Sequence, residues 1–155
     1  MPKANPTPHL SHRHIARRLR VLLGTWKIEG RFVGGEEPLE ERGTVTFRWL
    51  EKDALLIMRS RMKVAPKSVG VIGADDTMNA FTLLYSDDRP VVRRYEMTLT
   101  ARSWNYSRRQ LGFHQRSIGR ISANGREIRL RWEKSADGRR WVKDFDLIYT
   151  KQRTD

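Results

Sequence analysis

A change of hydrophobic period lies within the segment Leu22-Leu23-Gly24-Thr25-Trp26-Lys27-Ile28-Glu29-Gly30. Before Gly24 the apolar residues recur at helical spacing, and after it they alternate with polar residues, which is the period of a half-buried strand. Turn residues then recur at short intervals as far as the C-terminus. The segment therefore predicts a short helix that is followed by a β-meander.

The helix is predicted over residues 12–23. Ser11 is its N-cap, Leu10 can pack on Ile15 as a hydrophobic staple, and Gly24 ends it. Its apolar face is formed by Ile15, Leu19, Leu22 and Leu23, and its basic face by Arg13, Arg17 and Arg20. We interpret it as a helix that closes one end of the fold with its charges in water. The alternative is a helix that binds nucleic acid or an anionic membrane surface.

Ten short antiparallel strands are predicted after Gly24. Their bounds are 25–33, 42–51, 54–64, 69–74, 80–86, 91–99, 102–109, 113–122, 126–134 and 141–151. The clearest hairpin signal is Asn124-Gly125, a dipeptide typical of two-residue primed turns with positive φ at both positions. Because closure removes unpaired strand edges, the sequence predicts an all-β fold, a ten-stranded antiparallel up-and-down barrel with the helix at one end.

Alternation of apolar and polar residues predicts which side chains point into the barrel. The inward sets are Trp26, Ile28, Gly30 and Phe32; Val45, Phe47 and Trp49; Ile128, Leu130 and Trp132; and Trp141, Phe145, Leu147 and Tyr149. Asp144 and Asp146 are predicted to face solvent. A ten-stranded barrel is wider than its own side chains easily fill, so we expect a cavity for one small ligand.

Length and composition limit the possible functions. The chain of 155 residues predicts one barrel domain over 11–155, preceded by a disordered tail over 1–10. It has no cysteine, which excludes disulfides and thiolate chemistry. No apolar segment resembles a signal peptide or a membrane span, so we expect a soluble cytoplasmic protein. No nucleophile elbow, glycine-rich phosphate loop or metal-ligand spacing is present, and an enzyme is not the favoured interpretation.

The chain is strongly basic, with a formal net charge of +13. Such a charge is compatible with binding to nucleic acid or to an anionic membrane. However, the Lys and Arg residues are scattered over every segment, which is typical of a solvated surface. Binding to these partners is therefore the alternative hypothesis.

Several segments resemble known proteins. The Gly24-x-Trp26 pair resembles the first-strand signature of the calycins, the superfamily of lipocalins and fatty-acid-binding proteins. Other segments are similar to an uncharacterised bacterial family of single-domain lipocalin-like proteins, over about residues 22–151: Val71-Ile72-Gly73-Ala74-Asp75-Asp76, Tyr85-Ser86-Asp87-Asp88-Arg89, Arg94-Tyr95-Glu96-Met97, Gly112-Phe113-His114-Gln115-Arg116, Trp132-Glu133-Lys134-Ser135-Ala136-Asp137-Gly138 and Trp141-Val142-Lys143-Asp144-Phe145-Asp146-Leu147-Ile148-Tyr149.

The resemblance implies a ten-stranded calycin barrel and no established activity. In calycins the tryptophan of this motif packs across the closed end of the barrel under an arginine. The resemblance implies the same place for Trp26.

Polar side chains on the predicted inner face are the candidates for ligand binding. Either Arg93 or Arg94 must face inward. With neighbouring antiparallel strands, the ligand site is predicted to combine Arg93, Tyr95, Trp104, Arg108, Phe113, Gln115 and Trp132. The polar members would hold a carboxylate or other anionic head while the aromatic members contact an apolar body. The alternative is that an inward arginine pairs with Glu96 or Glu133, or reaches the barrel mouth.

Haem binding is a weaker hypothesis. Haem-binding barrels such as nitrobindin are calycin-like, and they need an axial ligand to iron. His114 is the only histidine within the predicted barrel, and its alternation phase points it outward. No cofactor is therefore assigned from the sequence.

Overall fold

The structure, a computed structural model, describes residues 11–32, 39–75, 77 and 80–153, without the side chain of Leu39. In this part of the chain one helix is followed by ten antiparallel strands that close into a barrel, which confirms the predicted fold class. The predicted tail 1–10 with the Leu10 staple, the turn at 34–35 and residue 76 of the turn at 75–76 lie outside the described residues.

Each strand pairs with its neighbours in sequence, and the first strand pairs with the last. The elements are α1 His12–Arg20, β1 Gly24–Phe32, β2 Leu39–Glu51, β3 Leu55–Met62, β4 Ser68–Asp75, β5 Ala80–Asp87, β6 Val91–Leu99, β7 Trp104–Arg108, β8 His114–Ile121, β9 Glu127–Ser135 and β10 Val142–Lys151. Since β1 starts beside the helix, odd-numbered strands run away from the helical end and even-numbered strands return to it.

Helix α1 ends three residues earlier than predicted. Its N-terminus is as expected, because the Ser11 hydroxyl accepts a hydrogen bond from the His14 N–H at 3.2 Å. At the other end the Leu22 N–H bonds to the Leu19 carbonyl at 3.0 Å, a tighter i to i−3 contact. The Trp26 indole N–H donates to the Leu22 carbonyl at 2.8 Å. Gly24 then turns the chain into β1 with φ of +118°, a value that favours glycine.

The core at the helical end is closely packed. Trp26 is completely buried, and it shares the core with Leu19 of the helix and with Leu22 just after the helix, which are also completely buried. The cation over Trp26 is Lys151, whose Nζ lies 5.3 Å from the ring centroid. The arginine implied by the calycin resemblance is therefore replaced by a lysine. Burial lowers the pKa of Lys151.

The predicted inward and outward positions are wrong in the first half of β10, because this strand contains a β-bulge. Lys143 pairs with Glu133 and Phe145 pairs with Trp132, so Asp144 is an extra residue in β10. The bulge shifts the alternation by one residue. Trp141 consequently packs outside the barrel, where the Arg116 guanidinium lies 4.0 Å from its ring centroid. Asp144, predicted to face solvent, turns inward.

The β8–β9 hairpin forms where predicted but with a wider turn. Of the two residues Asn124 and Gly125, Gly125 alone has positive φ, at +70°. The Gly125 N–H bonds to the Ser122 carbonyl at 2.9 Å. The Asn124 side chain accepts hydrogen bonds from the Ser122 hydroxyl at 2.7 Å and from the Arg126 N–H at 3.0 Å. These local bonds stabilise a four-residue turn that ends in a left-handed glycine.

Candidate functional site

A cavity of about 630 Å³ lies inside the barrel, at the end away from α1. Its lining includes Val64, Ala65 and Pro66 of the β3–β4 loop and Phe113 of the β7–β8 loop. Both loops follow odd-numbered strands, so the cavity opens opposite the helix. We call this end the open end and the helical end the closed end. The volume is within the usual range for small-molecule sites.

Most of the cavity wall is apolar. The aliphatic and thioether side chains on it are Ile28, Val45, Met58, Met62, Leu83 and Leu147. On one side Tyr106, Trp132 and Phe145 form a stack, with ring centroids 5.2 Å and 5.4 Å apart. Tyr95 meets Trp132 edge-on at 6.0 Å. This wall offers aromatic contact area to an apolar body, and the buried Trp132 indole N–H has no hydrogen-bond partner among the described residues.

Five of the seven residues predicted for the ligand site line the cavity. They are Arg93, Tyr95, Phe113, Gln115 and Trp132. Trp104 does not line it, because this residue begins β7 at the closed end, where it is completely buried against Phe47. Arg108 ends β7 beside the mouth and is absent from the lining, although its Nε is buried without a hydrogen-bond partner among the described residues.

Arg93 is the inward member of the arginine pair, and Arg94 is exposed on the outside. The Arg93 guanidinium carbon lies 4.8 Å from the ring centroid of Phe113, so the two side chains stack at the mouth. Among the described residues no carboxylate forms an ion pair with Arg93. Glu96 is exposed on the outer face, and Glu133 pairs with Arg116 at 3.1 Å. The pairing with Glu96 or Glu133 is thus absent from the described part of the chain, whereas the other half of that alternative, an arginine that reaches the barrel mouth, agrees with the position of Arg93.

A polar chain runs from the cavity wall to the mouth. The Tyr95 hydroxyl donates to Gln115 Oε1 at 2.8 Å, and Gln115 Nε2 donates to Asp144 Oδ2 at 3.4 Å. Lys134 Nζ lies 3.6 Å from Asp144 Oδ1. Burial raises the pKa of Tyr95, while nearby Arg93 and Arg108 act in the opposite direction. The Tyr95 hydroxyl is therefore a neutral donor near physiological pH.

Sequence reasoning missed Lys134 and Asp144. Lys134 shares the inward phase of Leu130 and Trp132, so alternation along β9 was a usable signal. Asp144 gave no such signal, because its orientation depends on the bulge.

A second cation at the mouth is already paired. Arg89 lines the cavity. Its Nη2 donates a hydrogen bond to Asp87 Oδ2 at 2.7 Å, and the Tyr85 hydroxyl donates to the same oxygen at 2.8 Å. The Asp87 side chain is fully buried. The hydrogen bond from Arg89 holds the pKa of Asp87 well below its usual value, although burial opposes it. Burial raises the pKa of Tyr85.

His114, the candidate axial ligand for haem, lies away from the cavity. Its ring is 6.5 Å from that of Trp141, on the outside of the barrel, and it packs against Gly138. No histidine is found among the residues that line the cavity in the described part of the chain.

Comparison with known proteins gives structural matches only. No protein-family model matches the chain, and no curated protein matches it. The solved structure of Rv2717c from M. tuberculosis is similar, with a TM-score of 0.69 and 15% identity over 97% of this chain and 100% of that one. The S-type phycobiliprotein lyase CPES from Guillardia theta has a TM-score of 0.56 and 7% identity over 93% of this chain and 96% of that one.

Both neighbours share the overall fold of this chain. At these identities the likeness establishes the architecture and leaves activity open. Among the described residues, no helix has the length and apolar character needed to cross a membrane.

Proposed function

We propose that this chain is a small-molecule binding protein that holds an apolar ligand with an anionic or polar head inside its barrel. The apolar body lies along the stack of Tyr106, Trp132 and Phe145, and the head lies at the open end near Arg93. We also assign the chain to the bacterial lipocalin-like family that its segments resemble, and to the cytoplasm.

The proposal rests on one observation above all, that Arg93 has no carboxylate partner in the described part of the chain. A guanidinium that is partly withdrawn from water loses hydration, and this loss is normally offset by a carboxylate or another anion. Arg89 and Lys134 have such partners in Asp87 and Asp144. Arg93 lies over the face of Phe113 and beside the Tyr95 hydroxyl, and no carboxylate among the described residues forms an ion pair with it. An anionic head entering the mouth supplies the missing partner.

Two neighbours add hydrogen bonds to the same head. Tyr95 and Gln115 lie on the cavity wall beside Arg93 and currently bond to each other. An incoming carboxylate replaces Gln115 as acceptor for the Tyr95 hydroxyl. Charge-assisted bonds of this kind are about twice as strong as neutral ones, which favours an anionic head over a neutral polar one.

Binding of a fluorescent fatty acid and of its neutral methyl ester tests the proposal. The Arg93→Met variant keeps a similar volume and loses a charged hydrogen bond, so the fatty acid is expected to lose about 1.5–3 kcal/mol of affinity. The ester is expected to bind the variant and the original protein alike. The matched control is Arg94→Met, which removes the same charge one residue away on the outer face. Equal losses for both ligands, or for both variants, would contradict an anion site at Arg93.

Arg108 provides a graded comparison. The sequence predicted Arg108 as part of the same ligand site. In the structure it is not among the residues that line the cavity and instead lines a separate, smaller pocket. The Arg108→Met variant is therefore expected to weaken fatty-acid binding less than Arg93→Met does.

A further inference from the structure

Exposed apolar side chains are concentrated around the mouth of the barrel. Four of the seven large hydrophobic residues that are exposed in the described part of the chain lie there: Val64, Val92, Leu111 and Val142. Leu111 is the extreme case, with 95% of its surface exposed at the tip of the β7–β8 loop. Each of the four belongs to a different loop or strand end, so together they surround the opening.

The same rim is basic. The loops after β3, β5, β7 and β9 carry six basic residues, namely Lys63, Lys67, Arg89, Arg109, Arg139 and Arg140. They carry two acidic residues, Asp88 and Asp137. Glu36 and Glu37 belong to the β1–β2 connection, which lies outside the described residues. Basic residues remain in excess when these two are included.

Two carboxylates near the rim, those of Glu41 and Asp137, hold the loops in place. Buried Glu41 accepts the backbone N–H groups of Val64 at 3.0 Å and Ala65 at 2.7 Å. Asp137 accepts the N–H groups of Arg139 and Arg140, both at 2.8 Å. These acceptors fix the loops. Of the six basic rim residues, Arg89 is the one that pairs with a carboxylate among the described residues, and the other five extend into solvent. Because basic residues outnumber acidic ones in these loops, the surface that faces outward carries a net positive charge.

We propose that the open end docks on an anionic lipid bilayer. Isolated apolar tips enter the headgroup region, and the surrounding Lys and Arg side chains contact lipid phosphates. A protein partner is a poorer match, because protein interfaces are built on contiguous apolar patches, and here basic residues separate the tips. Docking in this orientation places the cavity mouth against the lipid, where an amphiphile can enter or leave without crossing water.

This inference goes beyond the proposed function and can be tested separately from it. Vesicle docking depends on the rim, whereas retention of a ligand depends on Arg93 and the cavity wall. The closed end supplies an internal comparison, since α1 also carries exposed basic residues, Arg13 and Arg17. The sequence alone favoured that helix as the membrane-binding element of the alternative hypothesis.

Site-specific labelling gives the most direct test, because the chain has no cysteine. A Leu111→Cys variant labelled with an environment-sensitive nitrobenzoxadiazole dye is mixed with vesicles of phosphatidylcholine, with or without about 30 mol % phosphatidylglycerol. Its emission is expected to rise only with the anionic vesicles. The matched control is Leu84→Cys, since Leu84 is 54% exposed on the barrel wall and should stay in water.

Vesicle sedimentation of unlabelled variants gives the second test. Leu111→Ser is expected to reduce partitioning about tenfold through lost apolar contact. Lys67→Gln and Arg109→Gln are each expected to reduce it about fivefold. Ile118→Ser on the barrel wall, and Arg13→Gln and Arg17→Gln on α1, should leave it unchanged. Circular dichroism spectra and thermal melting of the rim variants verify that they are folded, independently of any ligand.

Several outcomes would overturn the inference. One is a rise in emission at Leu84→Cys equal to that at Leu111→Cys, and another is loss of sedimentation in the α1 variants alone. Absence of vesicle binding at low salt would overturn it as well. Self-association that Leu111→Ser abolishes would assign the rim to a second copy of the chain and not to a bilayer.

Discussion

The closed and open ends of the barrel are built from the same ten strands, but different kinds of side chain occupy their inward positions. At the closed end large side chains such as Trp26, Phe47 and Trp104 fill the cross-section and the helix seals it. At the open end the inner positions carry polar side chains such as Arg93 and Gln115, and a cavity remains. The backbone of the closed sheet is common to both ends. The difference therefore lies in the size and polarity of the side chains that point inward.

This difference separates stability from function. Close packing gives the closed end most of the hydrophobic stabilisation of the barrel, because apolar area is removed from water on all sides. The open end buries less apolar area, because it contains the cavity and polar groups that have no hydrogen-bond partner among the described residues. Substitutions at the two ends should therefore have different consequences.

The largest expected effect concerns tryptophan removal. Trp26→Ala should lower the free energy of unfolding by about 3–5 kcal/mol, because it leaves an enclosed hole in a packed core. Trp132→Ala enlarges an existing cavity, so its cost is limited to lost apolar contact, about 1.5–3 kcal/mol. Urea denaturation followed by circular dichroism measures both. Equal losses would mean that the open end is packed as closely as the closed end.

The second prediction compares ionic contacts at the two ends. Asp87→Asn should destabilise the protein by about 1–3 kcal/mol, because buried Asp87 holds both Arg89 and Tyr85. Asp53 pairs with Arg20 at 2.6 Å on the surface near the helix, where both side chains are more than a third exposed. Asp53→Asn should therefore cost less than about 1 kcal/mol.

The pH dependence of Asp87→Asn provides a control. The hydrogen bond from Arg89 lowers the folded pKa of Asp87 below the unfolded value of about 3.9. The stability that charged Asp87 contributes is therefore complete above this unfolded pKa and is lost as the pH falls below it. The difference between Asp87→Asn and the original protein should shrink as the pH is lowered from about 5 to about 3. A difference that stays constant over this range would show that the carboxylate charge is not responsible.

The sequence predicted the closed end better than the open end. Apolar alternation identified the inward residues of β1 and the central part of β9, because burial on one face of a strand enforces a period of two. The helix was also predicted, although its last turn depends on a hydrogen bond from Trp26 to Leu22 that no local pattern reveals. Ten strands with turn signals between them were enough to predict closure of the barrel.

The open end was harder to predict, because its geometry depends on irregularities. One extra residue in β10 moves Trp141 outside and Asp144 inside, and the sequence around the bulge contains no glycine to mark it. Arg108 was in the correct phase, but its strand ends there, so phase alone did not place it on the cavity wall.

The smallest expected effect tests this bulge directly. Asp144 and Asp146 lie two residues apart on β10 and would share one face of a regular strand. Asp144 lines the cavity, whereas Asp146 pairs with Lys143. Asp144→Ser should tighten binding of a fluorescent fatty acid about threefold to fivefold, because it removes a negative charge near the head and frees Lys134. Asp146→Ser should leave the affinity unchanged, and neither variant should change the free energy of unfolding by more than about 1 kcal/mol. Equal effects of the two substitutions on affinity would mean that Asp144 lies on the outer face, as simple alternation along the strand predicts.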